Sequence, residues 1–193
     1  MHVRIRTISA LMFIWLTITA LPAAARIRIV FWSQEFGQNF PHAFVTLDGR
    51  LDRGGMPVST SFGFTAKTLS PGILMGTVAG KIDYTSKGYL MKSFAHFTTT
   101  ISDAQYDSIM KLPDEWGDRG DHRYNLNKRN CVHFVAEAAK RAGLTVAEPA
   151  GLMKRPHAFL ESLVPLNTGR LTPLEMSAKD FYSARGMAAT SAR

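Results

Sequence analysis

The sequence predicts an α+β fold in which a cysteine-bearing helix packs across one antiparallel sheet. Two observations favour this class. Patterns typical of strands fill the chain from residue 26 to residue 101, and helical patterns follow them. An apolar stripe at helical spacing starts directly after Cys131, the only cysteine among the 193 residues. A chain in which the strands come first and the helices follow is typical of α+β proteins.

The first 25 residues have the pattern of a signal peptide. Arg4 and Arg6 form a basic start, residues 8–21 are apolar, and residues 23–25 supply the small side chains of a cleavage site. The apolar run is too short to span a bilayer comfortably, which disfavours an uncleaved anchor. We therefore expect residues 1–25 to be removed and the protein to be periplasmic or secreted.

The composition limits what the exported chain can be. Residues 26–176 are enough for one domain with its own core, and residues 177–193, small and polar, predict a loose tail. Loss of Arg4 and Arg6 would lower the net charge from +8 to +6. This modest basic excess suits contact with an anionic surface, but no basic motif interleaved with aromatic residues indicates nucleic-acid binding. No metal-ligand spacing and no phosphate-binding glycine loop is present, so we expect no metal and no cofactor. Nothing indicates an oligomeric state.

Strand patterns are separated by turn residues. The pair Asp48-Gly49 ends one apolar run, Gly54-Gly55 and Pro57 precede the next, and Pro71-Gly72 breaks the chain again. Gln34 to Asn39 is a polar loop. We expect strands at residues 26–32, 41–47, 58–64, 73–82 and 94–101.

Helix signals begin after the last of these strands. Ser102 and Gln105 form a capping box that predicts a helix to about Leu112, closed by Pro113. Residues 114–128 are polar and predict a loop. A short late helix is expected at residues 156–163, with proline in its first turn.

The cysteine lies at the start of its own helix. Asn130 is a good N-cap, and Gly143 ends the run. At the amino end of a helix, free backbone N–H groups and the helix dipole favour a thiolate, which is the nucleophilic form of Cys131. A small buried cysteine with only a packing role is the alternative. The apolar stripe consists of Phe134, Val135, Ala138 and Ala142.

A cysteine nucleophile needs a base within hydrogen-bond reach. His133 follows the cysteine by two positions and so points to another side of the helix. His122 and His157 are most simply surface residues. His42 opens a strand after a proline-marked loop, and His96 lies in a strand; spacing alone separates these two candidates only weakly.

Two blocks of sequence resemble a known family. Residues 130–135, Asn-Cys-Val-His-Phe-Val, resemble the signature of lecithin:retinol acyltransferase-like proteins, which belong to the circularly permuted branch of the papain-like, NlpC-type superfamily. Residues 41–49 are similar to the histidine strand of that branch, and the histidine precedes the cysteine as the permuted order requires. The resemblance implies a permuted papain-like fold, with Cys131 as nucleophile and His42 as general base.

The third catalytic member departs from the family pattern. Permuted relatives often carry a second histidine or another polar residue on the next strand, and here Ser59, Thr60 and Ser61 occupy it. Ser61 is predicted to orient His42. His96 would take this role if its strand lay beside that of His42.

Together these features predict an exported thiol hydrolase, an amidase or peptidase that acts through an acyl-enzyme on cell-wall peptides or another acyl substrate. The cell-wall assignment follows from export and kinship. A lipid acyltransferase or hydrolase of the same superfamily is one alternative, and an exposed apolar patch would favour it. A catalytically inactive binding module on this fold is the other.

Overall fold

The structure is a computed structural model that describes residues 26–35, 41–184 and 186. The predicted signal peptide lies outside the described residues. So do residues 36–40 of the predicted loop, and residue 185 and residues 187–193 of the predicted tail.

All strand pairings in the described part of the chain are antiparallel. The strands are β1 (Ile27–Gln34), β2 (His42–Arg50), β3 (Pro57–Ala66), β4 (Thr77–Asp83), β5 (Phe94–Ile101), β6 (Arg123–Asn125) and β7 (Thr172–Ser177). They form one sheet in the order β6-β4-β3-β2-β1-β5-β7. The strand that carries His42 is therefore central.

Helices connect and cover these strands. They are α1 (Gly72–Met75), α2 (Lys87–Leu90), α3 (Asp103–Met110), α4 (Leu112–Trp116), α5 (Cys131–Arg141), α6 (Pro156–Leu163) and α7 (Ala178–Ser183), with a 3₁₀ helix at Pro165–Asn167. The mixture of an antiparallel sheet and helices confirms the predicted α+β class. Circular permutation relative to papain stays a prediction.

Helix α5 packs across one face of the sheet, as its apolar stripe predicts. The ring of Phe134 lies 6.1 Å from that of Phe62, 6.3 Å from that of Phe64 and 5.3 Å from that of Trp116, measured between centroids. All four residues belong to the larger apolar core. Burial of aromatic side chains on this scale fixes the helix against β3 and so fixes the position of its first residue.

A smaller apolar cluster covers the other face. There Phe181 of α7 meets the indole of Trp32 edge to face, with centroids 5.2 Å apart, and Phe44 packs in the same cluster. Because side chains alternate along a strand, Ala43 and Val45 of β2 face the α5 side. His42, at the start of β2, shares the Phe44 side and stacks against that ring.

The structure differs from the predicted elements before β4. The segment predicted as a strand from residue 73 begins as α1, and β4 starts only at Thr77. Pro71 has helical backbone angles and its carbonyl oxygen accepts a hydrogen bond from the Leu74 N–H, so the chain turns before it extends. Pro113 does not close a helix either. It lies in the first turn of α4. The N–H groups of a first turn have no acceptor within the helix, so a proline, which lacks the N–H, is tolerated there.

The tail predicted to be loose from residue 177 is ordered for most of its described length. Strand β7 pairs with β5, and Ser177 caps α7 by accepting a hydrogen bond from the Asp180 N–H at 3.2 Å. Phe181 is buried, with 4% of the residue exposed. A single apolar anchor in a short helix leaves too little periodicity to detect, so the sequence did not predict α7. For the residues of the tail outside the described ranges, a loose tail stays a prediction.

Candidate active site

Helix α5 begins at Cys131 because Asn130 caps it. The Asn130 Oδ1 atom accepts hydrogen bonds from two N–H groups of the first turn, at 2.7 and 3.2 Å. Its Nδ2 atom donates to the carbonyl oxygens of Leu126 at 2.7 Å and Met153 at 2.8 Å. Asn130 therefore ties the helix start to two loops, and the prediction of an N-cap at this residue is confirmed.

The thiol at this helix start is buried and uncharged. Only 6% of Cys131 is exposed, and its Sγ atom lies 4.0 Å from the Pro41 carbonyl oxygen. Burial raises the pKa of the Cys131 thiol to about 11, although hydrogen bonds from the backbone N–H groups of Ala43, Val132 and Cys131 act to lower it. The prediction of a thiolate is therefore wrong for this structure. Desolvation raises the thiol pKa by more than the N–H groups at the helix start lower it.

His42 is also buried, and it has an atom without a partner. Its ring lies 6.1 Å from the ring of Phe44 and 6.2 Å from that of Tyr89, and its Nε2 atom makes no hydrogen bond. A side chain at Gly63 would place its Cβ 2.8 Å from this nitrogen, so glycine leaves the room that the imidazole occupies. Burial lowers the pKa of His42 to about 4, against the opposing effect of the Asp83 carboxylate.

Cys131 and His42 line one cavity of about 310 Å³. The sulfur approaches β2 from the α5 side and contacts the Pro41 carbonyl, directly before His42. The imidazole extends along the Phe44 side of the same strand. Within the described residues no hydrogen bond joins the thiol to the ring, so the two groups share a cavity without forming a closed pair. Its remaining lining residues are Thr65, Ala66, Lys67, Leu69, Ile73, Lys81, Asp83, Tyr89 and Tyr124.

Ser61 lies on β3, and the hydrogen bond of its hydroxyl goes to the segment after β4. Its Oγ atom donates to the Thr85 carbonyl oxygen at 3.2 Å. The orienting role of Ser61 therefore stays a prediction. The carboxylate that acts on the imidazole is Asp83, which pairs with Gly63 across the β3–β4 ladder. Sequence analysis missed it because it ends β4, directly after the segment predicted as a strand.

His96 belongs to a separate polar cluster. The Ser33 hydroxyl is 2.8 Å from the His96 Nε2 atom and 3.5 Å from the His157 Nδ1 atom. Beyond the two rings, His157 Nε2 lies 3.1 Å from a Glu161 carboxylate oxygen, and His96 Nδ1 lies 3.6 Å from a Glu175 carboxylate oxygen. His157 is therefore half-buried in this network rather than a free surface residue.

The remaining histidines are structural or exposed. Strand β1 separates β5 from β2, so His96 does not lie on the strand beside His42 and does not orient it. His133 completes the cap of α5, since its Nδ1 atom accepts from the Asn130 N–H at 3.4 Å. His122 is exposed. Of the described histidines, His42 is thus the one that lines a cavity with the thiol.

Neither a metal centre nor a membrane span is found in the described ranges. No group of three or more histidine, cysteine, aspartate or glutamate residues there is arranged to hold a metal ion. No helix there is both long enough and apolar enough to cross a membrane.

Comparison with known proteins gives a fold likeness and no sequence relative. No protein-family model and no curated protein sequence matches the chain. Among solved structures, the chain is similar to the type VI secretion system effector TseH, with a TM-score of 0.50 and 16% sequence identity. The match covers 79% of this chain and 100% of that one. At this identity the likeness shows a shared fold and nothing more about this chain. The secretion-system effector is the neighbour, TseH.

Proposed function

We propose that the protein is an exported thiol hydrolase that cleaves amide bonds in cell-wall peptides, with Cys131 as nucleophile and His42 as general base. The observation that carries the proposal is the shared cavity, which brings the only cysteine and an unpartnered imidazole to the same space. The fold likeness to a secretion-system effector agrees with a protein that acts outside the cell that makes it. Export rests on the predicted signal peptide, and the cell-wall substrate on export and the family resemblance.

The chemistry follows from the protonation states in the cavity. The thiol is protonated and the imidazole is neutral at pH 7, since their pKa values are about 11 and about 4. His42 accepts the thiol proton as Cys131 Sγ bonds to the carbonyl carbon of the substrate. The backbone N–H of Cys131, at the helix start, donates to the oxyanion that forms.

Three further proton transfers complete the cycle. The tetrahedral intermediate breaks its C–N bond, and the leaving amine takes the proton from His42. Water then attacks the thioester while His42 accepts a proton from it. This proton returns to the sulfur as the acid leaves. Asp83, whose charge raises the pKa of His42, favours each step in which the ring is protonated.

The test is digestion of muropeptides from isolated sacculi, followed by mass spectrometry. We expect new amine and carboxylate ends with the wild-type protein and none with Cys131→Ala, at an almost unchanged melting temperature. Cys131→Ser serves as the matched control for volume, and it should be at least 10²-fold slower because a hydroxyl is the weaker nucleophile. Full activity of Cys131→Ala would show that another residue is the nucleophile, and absence of cleavage by the wild-type protein would leave it a binding module.

A lipid substrate is the second candidate, because apolar side chains are exposed beside the cavity. Helix α1 exposes 68% of Leu74 and 87% of Met75, while Leu69 and Ile73 of the same segment line the cavity wall. An acyl chain could lie on this surface. Release of fatty acid from phospholipid vesicles, dependent on Cys131 and exceeding the activity on muropeptides, would favour this function over the first.

A further inference from the structure

One cation in the wall of the catalytic cavity has no carboxylate partner. Lys67 directly follows β3, and its backbone N–H donates to the Ala79 carbonyl oxygen at 2.8 Å, which continues the β3–β4 ladder. Within the described residues its ammonium group makes no hydrogen bond and no ion pair. Lys67 is exposed and lines the cavity, so its ammonium group is accessible to an anionic group that enters there.

The other charged groups of the cavity nearly cancel. Lys81 lies 3.5 Å from the Asp83 carboxylate. His42 and Cys131 are neutral at pH 7, as their pKa values of about 4 and about 11 require. Burial raises the pKa of both tyrosines in the wall, so they stay protonated as well. The cavity therefore carries one net positive charge, which is that of Lys67.

The cavity wall brings this charge near the face of β3 that meets the catalytic imidazole. Gly63 and Thr65 lie on one face of β3, and Lys67 follows the strand and lines the same cavity as Thr65. The His42 ring packs on Gly63, and Thr65 lines the cavity beside Lys67. A substrate whose scissile carbonyl meets the sulfur would thus extend along β3 toward the ammonium group.

Resting on the proposed function, we propose that Lys67 is a specificity-determining residue that binds a carboxylate of the substrate near the scissile amide. The substrate class is then an anionic peptide rather than a neutral one. Lys67 does not touch the reacting atoms; it selects which acyl group reaches Cys131. The Lys81–Asp83 pair beside it leaves Lys67 as the free cation of the described cavity wall.

The test compares two alkylating probes that carry the same reactive carbon, iodoacetate and iodoacetamide. Each forms one S–C bond at Cys131, the only thiol in the chain, and releases iodide and the thiol proton. The ratio of the two rates cancels any change in thiol pKa and reports the local charge. We expect Lys67→Gln to lower the iodoacetate-to-iodoacetamide ratio about fivefold, because the ammonium group no longer attracts the carboxylate of iodoacetate. Lys67→Arg should retain the ratio, and 0.5 M salt should reduce the difference.

Lys179→Gln is the matched control, since Lys179 is an exposed lysine of α7 and its loss changes the net charge equally. An equal fall in the ratio for Lys179→Gln, or no fall for Lys67→Gln, overturns the carboxylate subsite. In either case alkylation of Cys131 by iodoacetamide, with muropeptide cleavage intact, leaves the proposed hydrolase standing. Failure of both probes to reach Cys131 in the folded protein would overturn the subsite and the hydrolase together.

Discussion

His42 and His96 are both buried imidazoles with lowered pKa values, yet their surroundings are opposite. Burial lowers the pKa of His96 to about 3, with a further contribution from His157, and its Nε2 atom lies 2.8 Å from the Ser33 hydroxyl. His42 has a pKa of about 4, and its Nε2 atom has no partner. His96 also has a buried nitrogen without a hydrogen bond, Nδ1, which lies 3.6 Å from a Glu175 carboxylate oxygen, whereas His42 faces a cavity that contains a thiol.

The difference indicates which of the two buried histidines is able to exchange a proton with a substrate. A ring nitrogen already hydrogen-bonded to a serine and fixed between β1 and α6 contributes to packing and to a single arrangement of the core. Each ring also has one buried nitrogen without a hydrogen bond, which costs stability. Burial, a lowered pKa and an unpartnered nitrogen are thus common to both sites, and the cavity shared with a thiol is what distinguishes His42.

Substitution of the two histidines should have opposite effects, and this is the largest effect we expect. His42→Ala should lower kcat/KM on muropeptides by about 10²–10⁴-fold through loss of the base, with the melting temperature almost unchanged. His96→Ala should destabilise the fold by about 2–4 kcal/mol, because it opens a cavity and breaks the Ser33 contact, but it should leave kcat of the folded protein intact.

His122→Ala, at an exposed loop histidine, is the control for both and should change neither quantity. Loss of kcat in folded His96→Ala, with full kcat in His42→Ala, would exchange the roles of the two sites.

Acid should destabilise the protein through both histidines alike. Because their folded-state pKa values lie below the unfolded value of 6.5, the folded state binds fewer protons, so stability is full above pH 6.5 and falls with pH. Each contributes a slope of about 1.4 kcal/mol per pH unit, or roughly 2 kcal/mol by pH 5. The losses are complete near pH 4 for His42 and near pH 3 for His96.

Urea unfolding at pH 7, 6 and 5 measures this slope. His42→Ala and His96→Ala should each flatten it by about 1.4 kcal/mol per pH unit below pH 6. If His42→Ala left the pH dependence of the unfolding free energy unchanged, solvent would reach the His42 ring in the wild-type protein. The two histidines would then differ in burial as well.

Local signals were sufficient to predict the helix that carries the cysteine. Asn130 as a cap, the apolar stripe and Gly143 as a stop all act within a few residues, and α5 has these limits, with Gly143 at a positive φ of 83°. The α+β class also followed from the order of strand and helix patterns. Cys131 and His42 line one cavity, but no hydrogen bond joins them within the described residues, so their pairing and its role in catalysis stay predictions.

The features that sequence analysis missed depend on contacts between distant segments. The thiol pKa is set by burial under several elements, and no local pattern records it. Asp83 reaches His42 only because β4 pairs with β3 in a register that sets it opposite Gly63. The Ser33 cluster likewise joins β1, β5 and α6, so its residues have no common spacing in the chain.

Substitution of Gly63 should have the smallest effect of these changes, and it should affect the His42 site without affecting the His96 site. The Cβ of Gly63→Ala would lie 2.8 Å from His42 Nε2 and 2.9 Å from Phe44 Cβ, so the imidazole must shift. We expect about a tenfold loss of kcat/KM, since small displacements of a base are costly, with destabilisation of about 1–3 kcal/mol from overpacking. The His96 ring, on the other face of the sheet, should keep its NMR chemical shifts.

Gly88→Ala is the matched control for this substitution. Gly88 lies in α2, where an added Cβ meets nothing within 4 Å, and alanine favours a helix there, so activity and stability should be retained. A Gly63→Ala protein with full kcat/KM and an unmoved His42 resonance would show that the cavity tolerates a displaced ring. The space beside the imidazole would then have no role in positioning the ring, and the unpartnered nitrogen would no longer support a catalytic role for His42.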